Sequence, residues 1–264
     1  MNDNFFKNYN SKHIEIYNKV EQMRLRGLIS HIVGILGESK TKKVLDLGAG
    51  TGNLSLKFLE QNCQVDAADI SKNSLIYLKR LSRNNTNLKL TILNGKLLPF
   101  KKNTFDVVAT YSVLHHIPDY LFTIKEMIRV TKAGGLIYID HEANKNRYEP
   151  DQHLRQYYSN TDQTPFEHIV KLAKTGELFN SNFIRTILIK LLINKKFERE
   201  GDIHVWKDDH IEWRLIKKIL KQQKCKVIEE GDYLLYRPKG GLNLFKQYKD
   251  ITSDTRCLIA RKNK

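Results

Sequence analysis

The sequence predicts an α/β fold: a doubly wound, mostly parallel sheet with an antiparallel edge hairpin and a helical insertion. Three observations predict it. The first is Val44-Leu45-Asp46-Leu47-Gly48-Ala49-Gly50-Thr51-Gly52, an apolar run that ends in a glycine turn just before a helical segment. The second is the strict alternation of short apolar runs and helical segments as far as Ile139, the pattern of successive βαβ units. The third is the last pair of apolar runs, whose connection holds no helix long enough for a parallel crossover.

Residues 1 to 20 carry Phe5, Phe6, Tyr9, Ile14 and Tyr17, too aromatic for a free tail, and are expected to fold back over the site. Val20, Met23, Leu28, Ile32 and Ile35 recur at helical spacing and predict a helix over about 20–36, with Gly37 at its C-cap. After the glycine turn a helix runs from about Asn53 to Glu60, and Cys63 to Asp69 is a short strand ending in an acid. Ser71 N-caps a helix over about 72–83, and Leu88 to Leu93 alternates as a strand. Phe105 to Ala109 reads as a buried parallel strand, Tyr120 to Val130 as a helix and Leu136 to Ile139 as the next strand.

The alternation then breaks. Helical pieces fill 143–205, the most apolar carrying Ile184, Ile187, Leu188, Leu191 and Leu192, either a face packed on the main domain or a lipid-facing one. A helix over about 211–222, an apolar run from Val227 through Tyr236, and Cys257 to Ala260 complete the sheet. The expected parts are an N-terminal arm and helix covering the site (1–37), a cofactor-binding core (38–142), a helical insertion serving as substrate lid (143–205) and the C-terminal part of the sheet (206–264).

A chain of 264 residues can bury a full core. No apolar run reaches the roughly 18–20 residues of a spanning helix, so integral membrane association is not expected and the cytoplasm is the expected compartment. The three cysteines are widely separated and suit buried reduced thiols. The net charge of +16 raises the question of a polyanionic partner, but the basic excess is spread over both halves, without a block or an aromatic-interleaved stripe. Nucleic acid is therefore the less favoured partner.

In an open parallel sheet, ligands bind beyond the carboxyl ends of the strands, where the strand order reverses. Gly48 and Gly50 let backbone approach a ligand closely, and Asp69, 21 positions after Gly48, can accept from both ribose hydroxyls. Glycines at the first, third and fifth positions of the turn, with Asn53 at the sixth, depart from a dinucleotide fingerprint and favour a cofactor without a pyrophosphate.

Val44 to Gly52 resembles the first motif of class I S-adenosylmethionine-dependent methyltransferases, of the small-molecule type related to quinone-biosynthesis enzymes. Further matches follow in order: Ala68-Asp69-Ile70, Leu98-Pro99-Phe100, Phe105 to Val108, Leu114-His115-His116-Ile117, and Glu126 to Gly135. The match covers roughly 40–142 and, more loosely, the closing hairpin. It implies a seven-stranded Rossmann-like methyltransferase sheet and S-adenosylmethionine as cofactor, with S-adenosylhomocysteine as product.

The resemblance also implies roles. The Gly48-Ala49-Gly50 turn would pack on the methionine part, with Asp46 orienting the turn or the ammonium group. Asp69 would take the ribose, and Ile70 the adenine face. Asn94 and Gly95 stand where the family usually has an acidic residue for the adenine amino group; an Asn carbonyl can still accept that bond. Tyr111 would line the cofactor and methyl pocket. His115 or His116 would take a proton from a hydroxyl acceptor, unless the pair is structural. Tyr9, Tyr17, His141 and Glu142 are the candidate substrate contacts, and no metal site is expected. His204, Trp206, Asp208, Asp209 and His210 form either a substrate wall or a helix start capped by Asp208 or Asp209.

Thr110-Tyr111-Ser112-Val113 is not the Asn/Asp-Pro-Pro-aromatic motif of enzymes that methylate planar amino groups, and no Pro-Cys pair supplies a nucleophile for pyrimidine carbon. A small-molecule acceptor, methylated on O, N or C by direct displacement, is the favoured expectation. RNA methylation and non-catalytic cofactor binding are the alternatives, and the oligomeric state is left open.

Overall fold

The computed structural model describes residues 17–37, 40–161 and 202–264. Phe5, Phe6, Tyr9, Ile14 and the apolar stripe from Ile184 to Leu192 lie outside the described residues.

Strand β1 (Lys43–Leu47) lies between β2 (Gln64–Asp69) and β4 (Phe105–Tyr111), parallel to both, and β3 (Leu88–Ile92) pairs with β2. Successive β1 residues feed two different cores, as strand geometry requires. Val44 joins Val107, Ala109 and Tyr138 on one face; Leu45 and Leu47 join Val108 and Ile137 on the other. Because both faces are covered, the strand reads as an apolar run interrupted by one buried acid, Asp46.

Helices α1 (Lys19–Ile35) and α2 (Asn53–Glu60) cover the first face through Leu25, Ile29, Ile32, Leu54 and Phe58. Each of these side chains is buried, worth roughly 1.5–3 kcal/mol apiece. Helix α3 (Lys72–Leu81) packs Leu75 and Leu78 against Ala67 of β2, and the Ser71 side chain accepts from Ser74 N as expected of its cap. Helix α4 (Tyr120–Val130) covers the second face with Ile124 and Met127.

The α1 stripe differs from the sequence expectation. The buried face is Glu21, Leu25, Ile29 and Ile32, whereas Met23 is 70% exposed. A glutamate stands at the start of the buried row, so hydropathy alone set the centre of the stripe to one side: Ile32 is shared, Leu28 and Ile35 pack partly buried against the same core, and Met23 faces out.

Strand β5 (Thr131–Ala143) pairs with β4 and begins earlier than Leu136, through an irregularity that lets Thr131 oppose Phe105 and Leu136 oppose Val107. Short helices α5 (Lys145–Tyr148) and α6 (Gln152–Thr161) follow. Val205–Trp206 (β6) and Asp209–His210 (β7) form a separate two-stranded hairpin. This corrects the capping expectation for Asp208 and Asp209: helix α7 (Trp213–Gln222) starts later, with Glu212 at its N-cap position. Its Ile216 and Leu220 complete the second face.

Strands β8 (Cys225–Tyr233) and β9 (Thr255–Lys262) form the expected antiparallel edge hairpin, separated by helix α8 (Gly241–Tyr248), and β9 is also antiparallel to β5. The seven-stranded order is β3-β2-β1-β4-β5-β9-β8. The apolar run beyond Tyr233 leaves the sheet; Leu234 packs instead with Leu154, Tyr157 and Tyr248. From β1 the chain builds outward to β2 and β3, then returns to place β4 on the other side. The turns after β1 and β4 therefore leave side by side, Leu47 opposite Thr110, at the reversal point where such sheets bind ligands.

Candidate active site

The turn after β1 is built from the backbone. Gly48 and Gly50 have φ of 73° and 50°, and the amides of Gly48 and Ala49 donate to Ala68 O at 2.8 and 3.1 Å. Asp69 closes the far side, accepting from Gly50 N and Ser71 N, both at 2.7 Å. Each carboxylate oxygen keeps a second lone pair for a ligand hydroxyl. Asp46 faces inward. It is buried and accepts from Ser55 N at 2.9 Å and Ser55 Oγ at 2.6 Å, so it ties the end of β1 to the first turn of α2. Burial raises its pKa to about 6 against the lowering effect of the two Ser55 bonds, with nearby Asp69 adding to the rise.

A cavity of about 860 Å³ opens from this turn. It brings together most of the residues expected from sequence: Tyr17, the Gly48-Ala49-Gly50 turn, Tyr111, the His115-His116 pair, His141 and Glu142 all line it. Tyr17 shares a 2.8 Å hydrogen bond with Thr51 Oγ1. Ile70, 80% exposed, and the exposed Asn94 and Gly95 lie at the β2 and β3 ends and do not line this cavity. Tyr9 lies outside the described residues.

Glu142, at the end of β5, is the organiser of the cavity floor. Its buried carboxylate accepts from Val113 N at 2.9 Å and Leu114 N at 2.7 Å, and lies 2.8 Å from His115 Nδ1. Those bonds hold the 3-10 turn Leu114–His116. Burial lowers the His115 pKa, but the charge and hydrogen bond of Glu142, with Asp202 behind, outweigh it and carry the pKa above 6.5. The His116 ring centroid is 4.1 Å from that of His115. His141 has φ 60°, its ring lies 4.7 Å from the Tyr111 ring, and its Nε2 has no hydrogen-bond partner among the described residues. Burial lowers its pKa, favouring the neutral ring.

Sequence reasoning missed the support beneath Tyr111. The Tyr111 hydroxyl donates to Glu21 Oε1 at 2.8 Å, and Arg24 Nη2 donates to Glu21 at 2.6 Å, to Asp140 at 2.7 Å and to Tyr233 Oη at 3.0 Å. Tyr138 donates a short hydrogen bond to the same Asp140. Burial first, and then the charge of Glu21, push the Tyr111 hydroxyl well above its ordinary range, so it stays protonated. The other unanticipated group is Asp254, buried at the opposite wall with Arg237 Nη1 at 2.8 Å and Arg147 Nη1 at 3.7 Å. Burial alone would raise the Asp254 pKa; the two arginines hold it below the usual carboxylate value. No motif marks these residues; the one available signal was the Glu21–Arg24 spacing of three, which reads as an ordinary surface pair.

Residues 45–139 match the family model described as a methyltransferase domain. A demethylmenaquinone methyltransferase of Staphylococcus aureus is 31% identical over 135 residues, which is 50% of this chain and 56% of that protein. The chain thus spans about half the length of the curated relatives it matches. Among solved structures, an S-adenosylmethionine-dependent methyltransferase from Mesorhizobium loti aligns with a TM-score of 0.57 at 13% identity, over 88% of this chain and 96% of that one. A geranyl diphosphate methyltransferase in complex with GPP and sinefungin aligns with a TM-score of 0.53 at 14% identity, over 89% of this chain and 77% of that one. At those identities the alignments speak for the Rossmann-like methyltransferase fold. No helix among the described residues is long and apolar enough to cross a membrane.

Proposed function

We propose that this chain transfers the methyl group of S-adenosylmethionine to a small-molecule acceptor. One observation carries the reading: the cavity runs without a break from the Gly48-Ala49-Gly50 turn to the His115-His116 pair, so one space joins a cofactor seat to ionisable groups. The turn takes the methionine end of the cofactor, Asp69 the ribose, and Ile70, Asn94 and Gly95 the adenine side. Asp46 acts from behind, by fixing the turn through Ser55. Tyr111 and His141 face the methyl group, and Tyr17 with Glu142 bounds the acceptor.

In the reaction the carbon–sulfur bond breaks as the bond from carbon to the acceptor atom forms, leaving S-adenosylhomocysteine, and a hydroxyl acceptor releases its proton. Such a displacement depends on alignment and water exclusion more than on a covalent intermediate. The rigid floor set by Glu142 and the Glu21–Arg24–Asp140 network supplies the alignment, and the His115-His116 pair stands where an acceptor hydroxyl would be ionised. The demethylmenaquinone methyltransferase relatives support a small-molecule acceptor over RNA. The described parts of 143–205 border the cavity through Arg147, Tyr158 and Asp202, which is consistent with an acceptor wall.

Calorimetry with S-adenosylhomocysteine tests the cofactor assignment, and label transfer from methyl-labelled cofactor into small-molecule extract or into tRNA tests the acceptor. Absence of cofactor binding would sink the reading; label appearing in tRNA alone would replace the acceptor class.

A further inference from the structure

At the His115-His116 pair a third side chain, Asp202, converges in a way that ionising an acceptor does not require. His116 Nδ1 lies 2.9 Å from Asp202 Oδ1, and His115 Nε2 lies 3.8 Å from the same oxygen. One ligand atom from each of the three residues lies within 4.8 Å of the others. We propose that His115, His116 and Asp202 form a binding site for one divalent transition-metal ion, with an open coordination position facing the cavity.

The distances suit a cation. Bonds of about 2.0–2.1 Å to nitrogen and oxygen in a tetrahedral site put neighbouring donor atoms about 3.3 Å apart. Two of the three separations bracket that value and the third lies within 4.8 Å, so closure needs side-chain shifts of about 1.5 Å or less. Ile203 N and His204 N both donate to His115 O, at 2.9 and 3.0 Å, which fixes Asp202 against the histidine turn.

The orientation of His115 suits it as well. Glu142 lies on Nδ1 and leaves Nε2 toward Asp202, the arrangement in which a carboxylate orients a metal-binding imidazole and raises its basicity. Two nitrogens and one oxygen favour zinc, cobalt, nickel or iron over magnesium or calcium, which prefer all-oxygen sites. The side chains of His115, His116 and Asp202 are 16%, 38% and 30% exposed and all three line the cavity, so an ion and its fourth ligand have access. An acceptor hydroxyl bound there would ionise more readily, as metal-bound water does. That role rests on the methyl-transfer reading; the existence of the site does not.

The test uses the full chain, stripped with chelator and titrated with cobalt(II), followed by its visible absorption bands and by displacement with zinc(II). One equivalent is expected to bind. His116→Ala and Asp202→Asn should each weaken binding at least about tenfold, since even losing an orienting partner costs that much. His31→Ala, whose ring pairs with Glu229 on the surface, should leave binding unchanged. Circular dichroism verifies that each variant is folded. Absent bands in the intact chain, or variants that bind cobalt(II) like the parent, would reduce the cluster to ion pairs. A chain that binds cobalt(II) but not S-adenosylhomocysteine would retain the metal site and remove the methyl-transfer reading.

Discussion

Replacing Gly50 or Gly48 by alanine separates what the turn does for the fold from what it does for a ligand. Both glycines have left-handed φ, which costs an alanine about 1–2 kcal/mol. Their surroundings differ. A Cβ on Gly50 would meet nothing within 4 Å, whereas one on Gly48 would lie 2.4 Å from Val113 Cγ2 and 2.6 Å from Cγ1. Gly50→Ala should therefore lose only the conformational cost. Gly48→Ala adds the overpacking cost, about 1–3 kcal/mol, for a sum of about 2–5 kcal/mol. Urea unfolding should rank the variants in that order. Calorimetry with S-adenosylhomocysteine should show the reverse emphasis: Gly50→Ala, the less destabilised of the two, should bind at least about tenfold more weakly because its methyl group would stand in the open space beside the turn, the proposed cofactor seat. A Gly50→Ala protein that binds like the parent would remove the turn from the cofactor site. Equal stability of the two variants would contradict the packing of Val113 on Gly48.

Asp69→Ala should weaken S-adenosylhomocysteine binding by about 1–3 kcal/mol through unpaired ribose hydroxyls, measured by the same titration; unchanged affinity would refute the ribose assignment. Asp46 should make stability pH-dependent. Its pKa rises from 3.8 unfolded to about 6 folded, so its favourable contribution is full below pH 3.8 and is lost as pH rises through 6, about 3 kcal/mol in all. Asp46→Asn can still accept both Ser55 bonds through its amide oxygen and does not titrate. Urea unfolding of parent and variant at a series of pH values should therefore diverge between about pH 4 and 6, and parallel profiles would count against the burial of that carboxylate. Arg24→Met should destabilise by about 3–5 kcal/mol, because it leaves Glu21 and Asp140 as buried charges without their shared cation. A loss below 1 kcal/mol by urea unfolding would mean that the network carries little.

The fold was legible where one interaction dominates each position. The β1 run, the Gly48–Gly50 turn and Asp69 declare themselves because a strand buried on both faces must be apolar, a turn with positive φ favours glycine, and the acid falls where β2 ends. The boundaries of α2 and α4 matched to the residue, since Gly52 and Asp119 sit at their N-cap positions. Legibility failed where a charge is buried. The centre of the α1 face lies to one side of the expected stripe because Glu21, not an apolar residue, begins it, although Ile32 is shared and Leu28 and Ile35 pack against the same core. The cluster His204 to His210 suggested a helix start because Asp is a good cap, yet Val205 and His210 pair across a two-residue turn instead.

Glu21, Arg24 and Asp140 show why such errors concentrate near a site. Separately, each is an ordinary polar residue, and the sequence separation of 116 between Arg24 and Asp140 hides their contact from any local pattern. Together they bury one cation among two carboxylates and the hydroxyls of Tyr111 and Tyr233, an arrangement more costly to assemble than an apolar core of equal volume. Its placement gives it a use. Tyr111 ends β4, Asp140 lies near the end of β5, and Arg24 brings α1 to both, so the network fixes α1 against the two strand ends that line the cavity. A site that aligns a methyl group needs that rigidity. Glu21, Arg24 and Asp140, which supply it, do not line the cavity and carry no motif of their own.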